Sequence, residues 1–295
     1  MHVCYYRSMD ITEIYIGSEH YPERLTHIHE PPEVLYVAGE LLPQDAYAIA
    51  IVGSRKCTDY GKHVAHDLAF GLARRGITVV SGMALGIDAE AHRGALEAGG
   101  RTIAVLGTGV DERSIYPHTH KPLAEAIAKT GAVISEYPPG TPAYPGNFPQ
   151  RNRIVSGLSL GVIVVEANER SGSLITARLA LEQGRDVFAV PGSIYTSTSR
   201  GVHRLIQEGA KLITGVDDIL EELEMENALP RETRAQETGD EARILALIEQ
   251  EPMHTDAIIE QLALPSHVVL ALITMLELNE KIQHIGNNTY GIKEN

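Results

Sequence analysis

Short apolar runs alternate with helical stretches between residues 45 and 222, and this pattern limits the possible folds most. Residues 47–52 (YAIAIV), 77–81 (ITVVS) and 161–167 (GVIVVEA) are rich in Val, Ile and Ala. Helical stretches of about 10–15 residues separate such runs, which predicts βαβ units and a parallel sheet covered on both faces. We therefore predict an α/β fold, a doubly wound Rossmann-like sheet, for residues 45–222.

The remainder of the chain divides into three further segments. Residues 1–44 contain four prolines and are predicted to form an irregular lead-in that packs on the core. Residues 223–239 are polar and lack apolar periodicity, which is typical of a linker. Residues 240–295 show three helical segments followed by two short strands, which predicts a C-terminal winged-helix domain. Its second and third helices would form a helix-turn-helix pair.

Composition indicates the cellular compartment of the protein and excludes some classes of bound group. No apolar run approaches the roughly 20 residues that span a bilayer, and no secretory signal pattern is present. The two cysteines, Cys4 and Cys57, are too few for a disulfide framework. We therefore expect a cytoplasmic protein without a membrane partner. The thirteen histidines lack CxxC or HExxH spacing, so no metal site is predicted.

The negative charge of the chain is concentrated in its last third. The net charge is −14, and residues 217–295 hold five basic and seventeen acidic residues. Residues 1–216 therefore carry a balance of only −2, which leaves room for a local basic cleft.

Residues 148–159 (FPQRNRIVSGLS) are the most informative stretch for function. They place Arg151 and Arg153 around Asn152 at a predicted helix start, with Phe148 immediately before it. A helix N-terminus with two guanidinium groups favours phosphate, and the adjacent ring suits a stacked base. An ordinary amphipathic helix with solvated arginines is the alternative.

Three predicted loops at the carboxyl edge of the sheet are rich in small and polar residues. Ligands of open α/β sheets bind at this edge, and glycines there let the backbone approach an anion. Taken singly such loops are usually turns, but together they favour a phosphate-bearing ligand. The candidate residues are Gly53, Ser54, Arg55 and Lys56 in the first loop, Ser81, Gly82 and Gly86 in the second, and Ser171, Gly172 and Ser173 in the third.

Motifs for catalysis or a bound cofactor are missing from the sequence. The first loop lacks the GxGxxG pattern of dinucleotide-binding enzymes, and no GxxxxGK[ST] pattern of nucleotide triphosphatases occurs. No Ser–His–Asp order or pair of crowded carboxylates stands out. The sequence predicts a binding protein with no catalytic residues and no cofactor.

Several of these motifs together resemble the DprA/Smf family. They are GSR at 53–55, SGMALGIDAEAH at 81–92, SEYPPGTP at 135–142, FPQRNRIVSGLS at 148–159 and SGSLITARLALEQGRDVFAVPG at 171–192. The resemblance implies a protein that binds and protects single-stranded DNA in natural transformation and assists loading of the RecA recombinase. It also implies a homodimer formed through the Rossmann-like domain, without established catalytic activity.

The resemblance also implies which residues contact DNA. They would be Gly53–Arg55, the loop from Gly82 to Gly86, and Phe148 with Arg151 and Arg153. Many relatives carry a basic residue before the phenylalanine, where this chain offers the ring of Tyr144. Stacking on Tyr144 would then replace one phosphate contact and weaken the salt dependence.

A nucleoside-monophosphate phosphoribohydrolase on a related fold is the enzyme alternative. Such enzymes use a PGGxGTxxE loop, and the corresponding place here reads ERSGSLITAR, without the double glycine or the glutamate.

The predicted winged helix lacks the charge of a DNA-reading module. Its candidate recognition helix, SHVVLALITMLELNE, contains no Lys or Arg, and residues 240–295 carry three basic and nine acidic residues. Because phosphate neutralisation dominates DNA affinity, we predict that this domain does not bind DNA strongly.

Overall fold

The structure is a computed structural model that describes residues 10–225, 239–250, 252–262, 264–278, 281–286 and 288–292. Its contacts divide the chain into two compact units, residues 1–231 and 232–295, which are described separately below. We call them the Rossmann-like unit and the winged-helix unit. Most of the predicted linker, residues 226–238, lies outside the described residues, so the predicted domain boundaries remain predictions.

A nine-stranded sheet forms the centre of the Rossmann-like unit in the part of the chain that the structure describes, with the order β1-β2-β6-β5-β4-β3-β7-β8-β9. All pairings from β6 to β9 in this order are parallel, as the apolar runs predicted. The strands are β1 (Ile11–Tyr15), β2 (Val34–Gly39), β3 (Ala48–Val52), β4 (Thr78–Ser81), β5 (Thr102–Val105), β6 (Ala132–Ser135), β7 (Gly161–Val164), β8 (Asp186–Ala189) and β9 (Lys211–Leu212).

Helices cover both faces of this sheet. Alternate residues of β3 point to opposite sides, so that Ile49 and Ile51 pack in one core cluster and Ala50 and Val52 in another. This burial on both faces explains why the strands are continuous apolar runs. The helices are α1 (Asp59–Arg74), α2 (Ile87–Glu97), α3 (Lys121–Thr130), α4 (Asn147–Leu158), α5 (Gly172–Glu182), α6 (Arg200–Gln207) and α7 (Val216–Glu222).

The prediction of an irregular lead-in is wrong for the strands β1 and β2. These strands pair antiparallel with each other, and β2 pairs antiparallel with β6, so they extend the sheet at one edge. The prolines lie between the strands rather than within them: Pro22, Pro31 and Pro32 separate β1 from β2, and Pro43 follows β2. Proline therefore marks the connections of this segment and does not prevent its strands.

The winged-helix unit contains three helices and a small antiparallel sheet among its described residues. The predicted winged helix is confirmed, with an additional short strand. Ile244, Ile258, Val269 and Ile273 are buried in its core. The elements are α8 (Gly239–Gln250), β10 (Met253–His254), α9 (Thr255–Leu262), α10 (Ser266–Leu278), β11 (Ile282–Gly286) and β12 (Thr289–Ile292), with the sheet order β10-β12-β11.

A search of the described residues for helices able to cross a bilayer identifies none of sufficient length and apolarity.

Candidate functional site

A cleft of about 760 Å³ lies beyond the carboxyl ends of β3, β4 and β7. The chain proceeds from β3 to β4, β5 and β6 on one side of the sheet and then crosses to β7, β8 and β9 on the other. Strand order therefore reverses next to β3, and such switch points are the usual ligand sites of open α/β sheets.

Five segments converge on this cleft, and eleven of the fifteen predicted site residues line it. The predicted residues that line it are Gly53, Ser54, Arg55, Lys56, Gly82, Phe148, Arg151, Asn152, Ser171, Gly172 and Ser173. Asp88, Tyr116, Asn168, Arg170 and Thr176 are among the further lining residues.

Arg151 forms the floor of the cleft. Its side chain is only 4 % exposed. One terminal nitrogen of its guanidinium group donates to the carbonyl oxygen of Gly82 at 2.7 Å and also to that of Val105. Both carbonyls end strands of the sheet or follow them directly, so Arg151 satisfies acceptors that the sheet leaves unpaired. Its bonds tie α4 to the loops after β4 and β5.

Asp88 lies under the same floor and is also buried. Its carboxylate accepts hydrogen bonds from the backbone N–H groups of Gly82 at 3.2 Å and Ala84 at 3.4 Å. Burial raises the pKa of Asp88, an effect opposed by the positive charge of Arg151. Burial likewise lowers the pKa of Arg151 to about 10, so the guanidinium group remains charged at neutral pH.

Gly82 and Gly86 allow close packing around the loop between β4 and α2. A side chain at Gly82 would place its Cβ 2.5 Å from the guanidinium group of Arg151. Gly86 has a φ of +80°, and a Cβ there would overlap the carbonyl oxygen of Ser54. Close approach of an anion to these glycines stays a prediction, and Gly82 lines the cleft. In the structure both glycines let the floor and the first loop pack together.

Arg55 lies on the rim of the cleft and is exposed. Its guanidinium carbon lies 5.5 Å from the centroid of the Phe148 ring, which is within cation–π range. The Tyr116 ring lies 5.9 Å from the Phe148 ring at an interplanar angle of 48°. The rim therefore presents a cation and two aromatic rings side by side.

The opposite rim is formed by the loop after β7 and the first turn of α5. The side chain of Ser171 caps this helix, because its oxygen accepts a hydrogen bond from the backbone N–H of Ser173 at 3.4 Å. Asn152 reaches this rim from α4 and donates to the carbonyl oxygen of Gly172 at 3.4 Å. Arg170 is exposed beside these groups. A helix N-terminus and a cation thus face the rim that carries Arg55.

Charge in the cleft is predominantly positive. Among the described residues that line it, the basic side chains are Arg55, Lys56, Arg151 and Arg170, and Asp88 is the one carboxylate. Within the described ranges, no carboxylate oxygen lies within 4.0 Å of Arg55, Lys56 or Arg170. The rim cations therefore remain available to an anionic ligand.

Four predicted residues lie outside the lining of the cleft. Ser81 is fully buried and donates its hydroxyl to the carbonyl oxygen of Ile51 at 2.6 Å. Gly86 packs against the first loop, as described above. Tyr144 is 56 % exposed but is not one of the lining residues.

Arg153 is the fourth of these residues. It forms two hydrogen bonds with Glu136, at 3.0 and 2.6 Å. This bidentate ion pair is mostly shielded from solvent, and it ties α4 to the end of β6. The expectation that Arg153 faces the ligand is therefore not supported by its position in the structure.

Helix α4 also begins earlier than the sequence analysis placed it. It starts at Asn147, so Phe148 and Pro149 lie in its first turn rather than before it. Proline is favoured in a first turn because the N–H that it lacks would have no helical partner there. Arg151 consequently lies more than one turn into the helix, which explains how its side chain becomes buried.

The sequence prediction did not include two of the lining residues, Tyr116 and Arg170. Tyr116 comes from the long loop after β5, and nothing in the local pattern indicates that it reaches Phe148. Arg170 directly precedes the predicted residues Ser171–Ser173, and this position is a local signal for it.

Glu166 follows β7 and is buried. Its carboxylate accepts from the backbone N–H and the hydroxyl of Thr58 at 2.9 and 2.6 Å, and from the hydroxyl of Thr198 at 3.2 Å. Thr58 is the N-cap of α1, so Glu166 anchors that helix start. Across the residues that the structure describes, no group of three or more His, Cys, Asp or Glu side chains is arranged to hold a metal ion.

A Rossmann-like unit with a cation-lined switch-point cleft, joined in sequence to a winged-helix unit, defines a phosphate-binding α/β protein. Residues 12–224 match the family model described as DNA recombination-mediator protein A, and residues 228–287 match the DprA winged helix domain. The chain belongs to the DNA recombination-mediator protein A family, also called DprA or Smf.

Individual relatives agree with this assignment. The chain is 48 % identical over 223 residues to the DNA processing protein DprA of Bacillus subtilis, covering 75 % of this chain and 74 % of that protein. It is 49 % identical over 208 residues to the protein Smf of Escherichia coli, covering 70 % of this chain and 55 % of that protein.

Two solved structures are similar to this chain. DprA from Streptococcus pneumoniae matches with a TM-score of 0.69 and 46 % identity, over 72 % of this chain and 74 % of that one. DNA processing protein A from Helicobacter pylori matches with a TM-score of 0.65 and 32 % identity, over 73 % of this chain and 96 % of that one. The latter structure concerns the single-stranded DNA binding mode of the Helicobacter protein.

Proposed function

We propose that the cleft of the Rossmann-like unit binds single-stranded DNA without sequence preference, and that the chain acts as a recombination mediator on that strand. The observation that carries this proposal is the unpaired guanidinium group of Arg55 held over the Phe148 ring. A cation next to an aromatic face suits a ligand in which phosphates and bases alternate. The DNA processing relatives support the same class of ligand.

The aromatic rings of the rim favour a single strand over a duplex. In a duplex the faces of the bases are covered by their neighbours, so Phe148 and Tyr116 would find only edges and phosphates. A single strand can turn a base out of its stack and place it on a ring, at about 1–3 kcal/mol per stacked base. Stacking also tolerates any base, which agrees with binding that ignores sequence.

The phosphate contacts come from both rims. Arg55 and Lys56 supply charge on one side, while Arg170 and the N-terminus of α5 supply it on the other. Arg151 acts from below as a positioning residue, because it is buried and one terminal nitrogen of its guanidinium group donates to the carbonyls of Gly82 and Val105. Tyr144 and Arg153 are outside this proposed set of contacts.

Parallel titrations of oligo(dT) and of a matched duplex, each at two salt concentrations, test this proposal. We expect tight binding of the single strand and much weaker binding of the duplex. Three rim cations that each neutralise one phosphate give a slope of log K against log salt of about −2 for the single strand. Equal affinity for the duplex, or no binding of either, would contradict the proposal.

We further infer that the protein is not an enzyme. A phosphoribohydrolase on this fold needs a free carboxylate beside its ligand. Asp88, the carboxylate among the described lining residues, is buried and accepts from the backbone of Gly82 and Ala84, and Glu166 is engaged by Thr58 and Thr198. Incubation with nucleoside monophosphates should release no free base above background. Release that rises with protein concentration and saturates with AMP would contradict this inference.

Family membership also supports two partners. We infer that the chain forms a homodimer through the Rossmann-like unit and that it helps RecA to load on the bound strand. Light scattering measures the oligomeric state, and a mass of twice 32.1 kDa is expected.

RecA loading is measured on single strands covered by single-strand-binding protein. The full chain should shorten the lag before RecA filaments grow on these strands.

A further inference from the structure

Exposed apolar side chains of the Rossmann-like unit gather at the edge of the sheet that holds the cleft. Thirteen large hydrophobic side chains are exposed among residues 10–225. Seven of them lie in the connections after the carboxyl ends of the parallel strands β3 to β8, or in the helix turns that follow. They are Tyr60, Leu85, Tyr116, Tyr144, Ile175, Ile194 and Tyr195. Scattered exposed apolar residues are ordinary, but such a concentration on one edge indicates a contact surface.

The two most exposed members of this group are adjacent in the chain. Ile194 is 74 % exposed and Tyr195 is 93 % exposed. They form the tip of the loop after β8, which we call the 191–196 loop. The backbone N–H of Thr196 donates to the carbonyl oxygen of Ser193 at 3.1 Å, and that of Tyr195 to the hydroxyl of Ser193 at 3.3 Å. The tip is therefore an ordered turn that holds two apolar side chains in solvent.

Contacts on both sides of this loop place it at the border of the cleft. On one side the hydroxyl of Tyr60, in the first turn of α1, donates to the carbonyl oxygen of Pro191 at 2.9 Å. On the other side the backbone N–H of Gly201 donates to the carbonyl oxygen of Ala167 at 2.8 Å. Gly201 also packs closely on the backbone of Asn168, a lining residue of the cleft.

Strand order fixes which side of the cleft this loop occupies. The cleft lies over β4, β3 and β7, and β8 is the next strand after β7. Neighbouring strands are about 4.8 Å apart, which is less than the span of one extended nucleotide. A DNA strand that leaves the cleft across β7 therefore meets the 191–196 loop within one or two nucleotides.

Charge near this loop also suits a nucleic acid. Arg170, in the loop after β7, and Arg200, which begins α6 shortly after the 191–196 loop, are both exposed. Of the carboxylates in the described ranges, none lies within 4.0 Å of either guanidinium group. Glu169 is an acidic neighbour in the loop after β7, and the charges of Arg170 and Arg200 outnumber it.

We propose that Tyr195 is a second stacking platform, which holds a base of the single strand after that strand has crossed the cleft and passed β7. This proposal rests on the proposed function, since it extends the path of the same DNA. Ile194 would support the sugar of that nucleotide, and Arg170 and Arg200 would contact the phosphates on either side. The site is thereby lengthened from the cleft to the end of β8.

Oligo(dT) of two lengths tests this extension on the full chain. One has about 5 nucleotides, enough for the cleft, and the other about 15, enough for the cleft and the loop. Tyr195→Ala should weaken binding of the long oligonucleotide by about five- to tenfold and leave the short one unchanged. Tyr195→Phe, which keeps the ring, should bind both lengths like the parent protein. Tyr47→Ala removes an exposed tyrosine before β3, at the opposite edge, and serves as the matched control.

A direct signal is available because the chain contains no tryptophan. Tyr195→Trp creates a single tryptophan, which can be excited at wavelengths that tyrosine does not absorb, and a stacked base should quench it with the long oligonucleotide but not with the short one. Equal affinity of Tyr195→Ala and the parent for the long oligonucleotide, or an equal loss for both lengths, would overturn the extension. Arg55→Ala tests the cleft itself: parental affinity of that variant for both lengths would overturn the proposed function, whatever Tyr195 does.

Discussion

The floor and the rim of the cleft use the same residue type for different purposes. On the floor, Arg151 is buried, and one terminal nitrogen of its guanidinium group donates to the carbonyls of Gly82 and Val105. On the rim, Arg55 is exposed and lies over Phe148 without a carboxylate partner among the described residues. Burial and backbone contacts, rather than residue type, therefore decide whether an arginine of a binding motif is accessible to a ligand.

Because of this difference, mutations of the floor and of the rim should have different effects on stability and on DNA binding. A floor residue supports the shape of the loops, so its removal should cost stability and, through stability, binding. A rim residue touches only the ligand, so its removal should cost binding alone.

Arg151→Ala should lower the free energy of unfolding of the Rossmann-like unit by about 3–5 kcal/mol. The change leaves two buried carbonyls without a donor and leaves Asp88 without its opposite charge. Urea unfolding followed by circular dichroism measures this loss. Arg151→Lys keeps the charge but loses the fork of donors, so its free energy of unfolding should lie between those of the alanine variant and the parent protein. Parental stability of the alanine variant would show that the floor is not structural.

A buried histidine near the floor predicts how stability depends on pH. His92 is fully buried on α2, and its Nδ1 bonds the hydroxyl of Thr102 at 2.7 Å. Burial, followed by the charges of His120 and Arg151, lowers the pKa of His92 to about 3. Between pH 6.5 and about 3 the unfolded chain therefore binds a proton that the folded chain does not.

The contribution of His92 to stability should thus be complete above pH 6.5 and be lost as the pH falls below it. The expected loss is about 1.4 kcal/mol per pH unit. Urea unfolding at several pH values between 7 and 5 measures it. His92→Asn removes the titration, so its stability should fall less steeply over this interval. Identical slopes for the variant and the parent would contradict the prediction.

The winged-helix unit should have the smallest effect on binding. Helix α10 contains no Lys or Arg, and residues 240–295 carry a balance of −6. A chain that ends at residue 225 should bind oligo(dT) within about twofold of the full chain, which corresponds to roughly 0.4 kcal/mol. The isolated residues 238–295 should shift neither duplex nor single strand at physiological salt. Micromolar duplex affinity of that fragment would contradict the charge argument.

Sequence reasoning succeeded where the physical cause is local. Runs of Val, Ile and Ala predicted the parallel strands, because burial on both faces of a sheet selects such residues over five or six consecutive positions. The same reasoning overlooked β1 and β2, which are less completely buried than the central strands and are separated from each other by prolines. Their position depends on β6, about 100 residues further along the chain.

The candidate site was predictable in position but not in the role of each side chain. The loops that meet at the carboxyl edge follow from the order of strands and helices. The partners of Arg151 and Arg153 do not, because Gly82 and Glu136 are 69 and 17 residues away in the chain. No local pattern distinguishes these arginines from Arg55, since burial is decided by tertiary packing.

Arg55→Ala tests the central claim most directly when binding and stability are measured on the same preparation. Arg74→Ala is the matched control, because Arg74 is the last residue of α1 and lies at the opposite edge of the sheet. We predict that Arg55→Ala weakens oligo(dT) binding by about 1.5–3 kcal/mol, the range for a hydrogen bond to a charged group. Its free energy of unfolding should stay within about 0.5 kcal/mol of the parent, and Arg74→Ala should bind like the parent. Parental affinity of Arg55→Ala, or a loss of affinity that is matched by an equal loss of stability, would contradict the assignment of the rim to DNA.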